Sequence, residues 1–582
     1  MRCGTCKTVM EAVNSQLKSD VVVSSLKVLF KGLHLEDGEL NAATVAESLS
    51  QLILTPDYFC NKVVRYCDDI KYDEIDDQEA VDEIMKGKPF NMDNDFIDGL
   101  YWKIKNTPTF APRKTLRFAH IADAHLDLWY EEGSIADCGQ QYCCRKDTFK
   151  GVGSKVAGKF GSHDGPCDPP RVTFQETLNY IRDTIKPDVI VWTGDNSPHD
   201  EYSTSQTEVT ITLNETTKMI QEAFPPANPK GPQTFATYGN HDAYPNNQWN
   251  FATGNKAVSD SMSLWKVWMD EGDQQYQNYL KTGYYSQRLH AVDGKLVKVI
   301  SINTLSCDIL NKYTFSVLSD PNNQLDFLIS ELTSIEKQNG LAILLSHIIP
   351  EECTHPWAIR FRAVLDRFQH IIRMNIFGHT HSDQFKVARA HDSKKTPIGV
   401  MSICGGLTTW GGNNPSFCVY EVDQETMLPV ARYTYAFDIN TANRDGAIKW
   451  DIYTDWLNDY KLDDLSPSSL FDLTKRLRKD SKFAREYQQR QGRNYDLSGD
   501  CDDYCRLDLQ CQQTTADIYE YKQCLGATFP FDLKNDLMSS ILQLIADPWV
   551  RIVNDKKHDD KKDDKKNGGG KGFFNLSSKK NN

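Results

Sequence analysis

Val189-Ile190-Val191-Trp192-Thr193-Gly194-Asp195-Asn196-Ser197-Pro198-His199-Asp200 is the stretch from which the rest of this chain can be read. Its first four residues are apolar, β-branched and turn-bounded, which predicts a buried strand. A strand that ends in Gly-Asp leaves a carboxylate at the sheet's edge, where the backbone turns away. The pattern recurs. Leu116 to Ile121 runs into Asp123-Ala-His125, and Thr234 to Tyr238 runs into Gly239-Asn240-His241-Asp242. Leu341 to Leu345 runs into Ser346-His347, and Met374 to Phe377 into Gly378-His379-Thr380-His381. Five strand-like runs thus deliver Asp, His, Asp, Asn, His, His and His from their ends. A single sheet can gather these at one edge.

The residue types carry the chemistry. Carboxylate, amide oxygen and neutral imidazole together suit zinc, iron or manganese, without the soft thiolates of a structural four-cysteine site. Asp195 is the natural bridge, since one carboxylate can share its two oxygens between two cations. Two metals roughly 3.5–4 Å apart form the clamp used for phosphoryl hydrolysis. A lone Gly-Asn-His-Asp would read equally well as an ordinary loop; the repetition at five strand ends is what points to a site.

Asp123-x-His125, Gly194-Asp195, Gly239-Asn240-His241, His347 and Gly378-His379-x-His381 resemble the calcineurin-like metallophosphoesterase signature. Carried over residue by residue, the resemblance implies that Asp123, His125 and His381 bind one metal. Asn240, His347 and His379 bind the other, and Asp195 bridges both. It also favours zinc for the pair. Gly-Asp-x-x-x-His-Asp, which places His199 four residues past the bridging Asp195, resembles the acid sphingomyelinase branch.

Over the whole chain, 582 residues leave room for several domains, and the 40% hydrophobic and 11% aromatic content suits a globular protein. A net charge of −14 argues against a nucleic-acid partner, for which a basic surface is expected. No apolar run approaches the ~20 residues needed to span a bilayer. Sixteen cysteines, several closely spaced and none in a repeated Cys-x-x-Cys frame, indicate disulfides in an oxidising compartment. The resemblance implies Cys138–Cys143, Cys144–Cys167, Cys307–Cys353, Cys501–Cys505 and Cys511–Cys524, with Cys404 and Cys418 left over. Met1-Arg2-Cys3 begins without a signal-peptide pattern, as in a mature or trimmed chain. The expected residence is secreted, lysosomal or both, and Asn214 and Asn575 are glycosylation acceptors consistent with it.

Residues 1–87 show helix-compatible spacing at Val9, Val13 and Leu17, then at Val45, Leu49 and Leu52. Cysteines stand at both ends. So small a unit needs such staples. It resembles a saposin, a lipid-handling domain, for which the implied pairs are Cys3–Cys67 and Cys6–Cys60; the central third disulfide usual in saposins has no counterpart. Asp68 to Asp82 reads as a solvated acidic face. Residues 88–115 shift to Asn, Thr and Pro and read as a linker. Residues 116–439 alternate strands with amphipathic helices, notably Phe174 to Ile185 and Leu325 to Ile335, which predicts α/β architecture. The resemblance implies a metallophosphoesterase double β-sheet sandwich flanked by helices. The Gly- and Cys-rich insertion from Asp127 to Arg171 follows the first metal motif and is expected at the substrate rim. Residues 440–553 read as a C-terminal helical subdomain, with Trp450 to Leu462, Leu470 to Lys475 and Leu537 to Trp549 as helices. Residues 554–582 read as a disordered tail rich in Lys, Asp, Gly and Asn.

The reaction expected is hydrolysis of a phosphodiester by metal-activated water, with a histidine as general acid. His241 is the first choice for that acid and His199 the second, with a phosphate-orienting role equally open to His199. By resemblance the substrate is sphingomyelin, on a membrane or lipid surface that a monomeric enzyme visits peripherally, and the products are ceramide and phosphocholine. A secreted relative acting on nucleotides or other soluble phosphate esters is the alternative. Cysteines 3, 6, 60 and 67 favour the lipid. A lipid-binding protein on a retired phosphoesterase scaffold is a third reading, against which the intact ligand set stands.

Overall fold

The computed structural model describes residues 77–89, 95–107 and 113–526 apart from a few short gaps, together with residues 7–9, 11 and 24. Among these residues twelve strands run in chain order: β1 Thr115–Ile121, β2 Val189–Trp192, β3 Gln233–Ala236, β4 Tyr285–Arg288, β5 Val297–Ser301, β6 Leu341–Leu345, β7 Ile372–Phe377, β8 Gln384–Arg389, β9 Pro397–Ile403, β10 Ser416–Asp423, β11 Pro429–Ala436 and β12 Asp451–Asp455. They form two six-stranded sheets, β12-β11-β10-β1-β2-β3 and β4-β5-β6-β7-β9-β8. The architecture is mixed α/β. The expectation that one sheet gathers all the ligands is corrected: three motif-bearing strands lie in the first sheet and two in the second.

Alternation along each strand explains why the sheets stack. In the first sheet, Leu116, Phe118, Val189, Val191 and Phe235 face Val299, Ile343, Leu345, Met374 and Ile376 of the second. The intervening residues Ala119, Ile121, Ile190 and Trp192 pack outward on Phe174, Leu178, Met219 and Ile220. In the second sheet Ala342 and Leu344 pack outward on Leu328, Leu332, Trp357 and Phe361. With apolar residues on both faces, each strand reads as a continuous run, as in β2 and β6. Burying such a side chain contributes about 1.5–3 kcal/mol. His120 is a polar exception at the interface. Its Nε2 lies 3.0 Å from Thr193 Oγ1, and burial holds the ring down to about 3, so it stays neutral.

β1, β2 and β3 pair in parallel, as do β5, β6, β7 and β9. Parallel strands end on one edge, which is where open α/β sheets place their chemistry. The motif loops follow β1, β2, β3, β6 and β7.

Three stretches fold differently from their reading in the sequence. The stretch read as a linker contains a helix, Phe96–Asn106, whose Ile97 and Tyr101 are buried in a cluster with Phe385, Trp456, Leu470 and Leu473. Asp98 there accepts hydrogen bonds from the Ser468 backbone N–H and hydroxyl. The Asn/Thr/Pro composition concealed the apolar spacing of that helix. The end of the segment read as saposin-like is the helix Asp77–Met85, which buries Ala80 and Val81 and pairs Asp77 with Arg360 at 2.5 Å. That pairing also takes Asp77 out of the expected solvated face. Of the helix expected over Trp450 to Leu462 only Trp456–Asp459 is helical; Asp451–Asp455 is β12, whose Ile452-Tyr453-Thr454 suits the open edge of β11. Among the described residues that follow, Pro467–Lys479, Ser481–Gln491, Asp503–Thr514 and Ile518–Cys524 are helices. Each is capped by a side chain, from Ser466, Asp480, Asp502 and Asp517 in turn. Cys3, Cys6, Cys60, Cys67, the helix at Leu537 to Trp549, Asn575 and the tail lie outside the described residues. Among the described residues every cysteine is paired, in the five pairs expected by resemblance and in Cys404–Cys418, which joins the ends of β9 and β10.

Candidate metal centre

The loops after β2 and β3 touch, and two glycines permit it. Gly194 has φ +86°, and a Cβ there would meet the Gly239 nitrogen at 2.2 Å. A Cβ on Gly239 would meet Asp195 Oδ1 at 2.0 Å. Asp242 fastens the pair: its carboxylate accepts from the backbone N–H of Gly239, Asp195 and Asn196 at 2.8, 3.0 and 2.8 Å. Asp123, His125, Asp195, His379 and His381 all have positive φ. Left-handed backbone at five non-glycine positions in one place is stored strain of the kind that functional sites hold.

All seven expected ligands converge. Asp195 Oδ1 accepts from the His241 N–H at 2.8 Å, while Oδ2 lies 3.4 Å from His125 Nε2 and 3.1 Å from His347 Nε2. On one side His125 Nε2 and His381 Nε2 face each other at 3.0 Å, beside Asp123. On the other, Asn240 Oδ1 lies 3.1 Å from His347 Nε2 and 2.8 Å from His379 Nδ1. The ligand atoms of Asp123, His125, Asp195 and His381 fall within 4.8 Å of one another, as do those of Asp195, His347 and His379. Asp195 belongs to both sets.

The donors fit a pair of divalent ions. Asp123 Oδ2 is buried with no hydrogen-bond partner, an expensive arrangement for a carboxylate unless a cation answers it. His125 Nδ1 lies 2.8 Å from the Ser197 carbonyl and His347 Nδ1 2.6 Å from that of Thr193. Each bond puts the proton on Nδ1 and leaves the Nε2 lone pair for a metal. Burial pulls both rings down, but the Asp195 carboxylate outweighs it and raises each to about 9. The site therefore attracts positive charge strongly.

The two catalytic candidates flank this centre. His199 stacks on His125 with centroids 3.9 Å apart and on Trp410 at 4.5 Å. Its Nδ1 lies 3.0 Å from both oxygens of Asp168, which also accepts from the Thr408 hydroxyl at 2.6 Å. Burial raises Asp168, yet the charges of His199 and His125 win and hold it well below the usual carboxylate range. A nitrogen of His199 also groups with those of His125 and His381 within 4.8 Å. His241 Nδ1 lies 3.2 Å from the Asn246 amide nitrogen, and its Nε2 faces Glu201 Oε1 at 3.4 Å. Burial, with the charges of His199 and His125, holds this imidazole well below its ordinary range against the pull of Asp195.

Sequence reasoning missed the residues that orient the candidates: Asp168, Trp410, Asp242, Glu201, Asn246 and Glu352. Asp242 stood inside a quoted motif, and Asp168 follows Cys167 in the insertion. The insertion does reach the rim: Arg145 pairs with Asp127 at 3.0 Å and with Asp200, and lies 4.4 Å over the Tyr142 ring, which stacks on Trp410. Nothing in the sequence could have placed Trp410 on His199. Asn214 is half-buried on the helix Gln206–Ala223.

Residues 116–383 match the family model of the calcineurin-like phosphoesterases, and residues 400–529 that of the acid sphingomyelin phosphodiesterase C-terminal region. The chain is 29% identical over 412 residues to sphingomyelin phosphodiesterase A of Dictyostelium discoideum, covering 70% of this chain and 67% of that one. It is 28% identical over 420 residues to sphingomyelin phosphodiesterase 1 of Caenorhabditis elegans, covering 70% and 72%. Acid sphingomyelinase-like phosphodiesterase 3b of Homo sapiens is 27% identical over 438 residues, covering 71% and 90%.

Proposed function

The chain belongs to the calcineurin-like phosphoesterases of the acid sphingomyelin phosphodiesterase branch, and from that premise we propose that it hydrolyses sphingomyelin to ceramide and phosphocholine. The observation that carries the reading is the pair of ligand sets sharing Asp195 at the facing edges of two sheets. Asp123, His125 and His381 would hold one ion and Asn240, His347 and His379 the other, with zinc the ion proposed. Two such ions, when bound, activate a water and neutralise charge on the phosphate oxygens.

The chain's own groups do the remainder. His241 serves as the acid in its imidazolium form: the Asn246 amide lies against Nδ1, where its otherwise unpartnered Oδ1 accepts the ring N–H once the amide is turned, and Nε2 is left to give up its proton. Glu201 faces Nε2 and favours the charged ring; the departing ceramide oxygen takes the Nε2 proton and leaves a neutral imidazole. Asp168 fixes His199 with its Nε2 turned away from the carboxylate, on the side of the first ion set, where it serves as the phosphate-orienting donor. Residues 1–87 are proposed as the saposin-like module that presents lipid, closed by Cys3–Cys67 and Cys6–Cys60. The catalytic domain is proposed over 116–439, with the helical subdomain behind it. Residence in a lysosome or outside the cell is supported by six disulfides among the described residues. Among those residues no helix is long and apolar enough to cross a membrane, which suits a peripheral visitor to lipid.

The test compares phosphocholine release from sphingomyelin liposomes at acidic pH with hydrolysis of a soluble nucleotide, each with zinc and with chelator. The full chain is set beside one lacking residues 1–76, a cut that spares the two packed helices Asp77–Met85 and Phe96–Asn106. Zinc-dependent lipid cleavage that falls on truncation is expected. Brisk nucleotide hydrolysis with inert liposomes would overturn the lipid reading and leave the phosphoesterase.

A further inference from the structure

We propose that Glu352 is a positioning residue for His379, and that through it the chain sets how tightly the Asn240/His347/His379 side holds its cation; this rests on the metal reading above. His125 and His347 direct their outer nitrogens to neutral backbone carbonyls. His379 differs. Its Nε2 lies 2.7 Å from Glu352 Oε2, a side-chain carboxylate oxygen rather than a backbone carbonyl. With Nε2 committed to that carboxylate, Nδ1, 2.8 Å from Asn240 Oδ1, is the nitrogen left for the ion.

The asymmetry has a charge logic. The Asp123/His125/His381 side owns one carboxylate and shares Asp195. The other side has only the shared Asp195, two imidazoles and a neutral amide. Glu352 supplies the missing charge at one remove, since a carboxylate on the outer nitrogen makes an imidazole a more basic ligand. Its seat is firm. Glu352 ends the short helix Pro350–Glu352, its carbonyl accepts from Ile309 at 3.0 Å, and the next residue, Cys353, is bonded to Cys307.

The experiment is chelator-competition titration of zinc on the full chain, with stoichiometry read directly and activity not required. Wild type is expected to hold two ions per chain. Glu352→Gln is expected to weaken one of them about 10–100-fold and leave the other unchanged, and Glu352→Asp to weaken the same one. Glu351→Gln, one residue away, is expected to leave both as in wild type. Two ions held by Glu352→Gln with wild-type affinities would overturn the inference while the metal reading stands; a wild type that binds none would overturn both. Should the variants fail to fold, nitrogen NMR of the zinc-loaded wild type decides. A proton on His379 Nε2 is expected, and a proton on Nδ1 would overturn the proposal.

Discussion

The two sheets meet at one site but bring different chemistry to it. The first sheet's strand ends offer Asp123, His125, Asp195 and Asn240, three of them oxygen donors. The second offers His347, His379 and His381, all imidazoles. Neither sheet completes either ligand set: His381 crosses to join Asp123 and His125, and Asn240 crosses to join His347 and His379. A cation held there is therefore also a clamp between the two halves of the sandwich, and its binding free energy reports on their packing.

That division can be broken hardest at the one residue common to both sets. Asp195→Asn is expected to abolish tight binding of both ions and lower activity by about 10³-fold or more, since it removes the charge that organises the transition state. Metal content and turnover, measured together, check it; retention of two ions would remove Asp195 from the bridge. His241→Gln leaves both ligand sets whole and should cost about 10²–10³-fold in kcat. A substrate with an activated aryl leaving group, which needs no protonation, should recover most of that loss. If His199→Gln shows the recovery instead, the roles of the two histidines are exchanged.

A gentler probe asks whether the ions clamp the sheets. Zinc at a hundredfold excess over its dissociation constant should stabilise the fold by about 2.7 kcal/mol per site, seen as a fall in Tm on chelation. His381→Ala and His347→Ala, one from each ligand set, should each remove part of that gap.

The smallest effect tests a tie behind the second sheet. Glu351 is buried against Lys386 and accepts from the Thr515 hydroxyl at 2.7 Å, joining the loop after His347 to the C-terminal helices. Burial outweighs Lys386 and Thr515 and raises this carboxyl from an ordinary 4.5 to about 7. The folded chain then holds the proton more tightly than the unfolded one. The stability this contributes is fully present below pH 4.5 and is lost as the pH rises through 7. Glu351→Gln should remove that slope, at most about 3 kcal/mol, as read by Tm between pH 4.5 and 7.

The motif strands were legible in the sequence because residues buried on both faces leave unbroken apolar runs, and because each run ends in a residue that cannot be core. Their division between sheets was not. Nothing in Val189–Trp192 or Leu341–Leu345 says which sheet will take it, since both are short and apolar throughout. The helix Phe96–Asn106 was missed because Pro108 and its polar neighbours dominated the reading, although Ile97, Tyr101 and Ile104 keep helical spacing. β12 was missed because Ile452-Tyr453-Thr454 lies between helical stretches, and only an unpaired edge on β11 makes it a strand. Asp168 and Glu352 are distant in sequence from the histidines they hold, so their partners emerge only from the fold.

β12 also bears on how the molecule can be divided. A fragment ending at residue 439, the boundary that the sequence suggests, would strip β12 from Tyr433–Ala436 and leave the outward N–H and C=O groups of that end of β11 unpaired. Such an edge is a template for pairing with another chain. Recombinant fragments cut there should come out as aggregates even with every ligand present, whereas fragments retaining Asp451–Asp455 and the helices that follow should stay dispersed. The C-terminal region thus guards the sandwich against self-association.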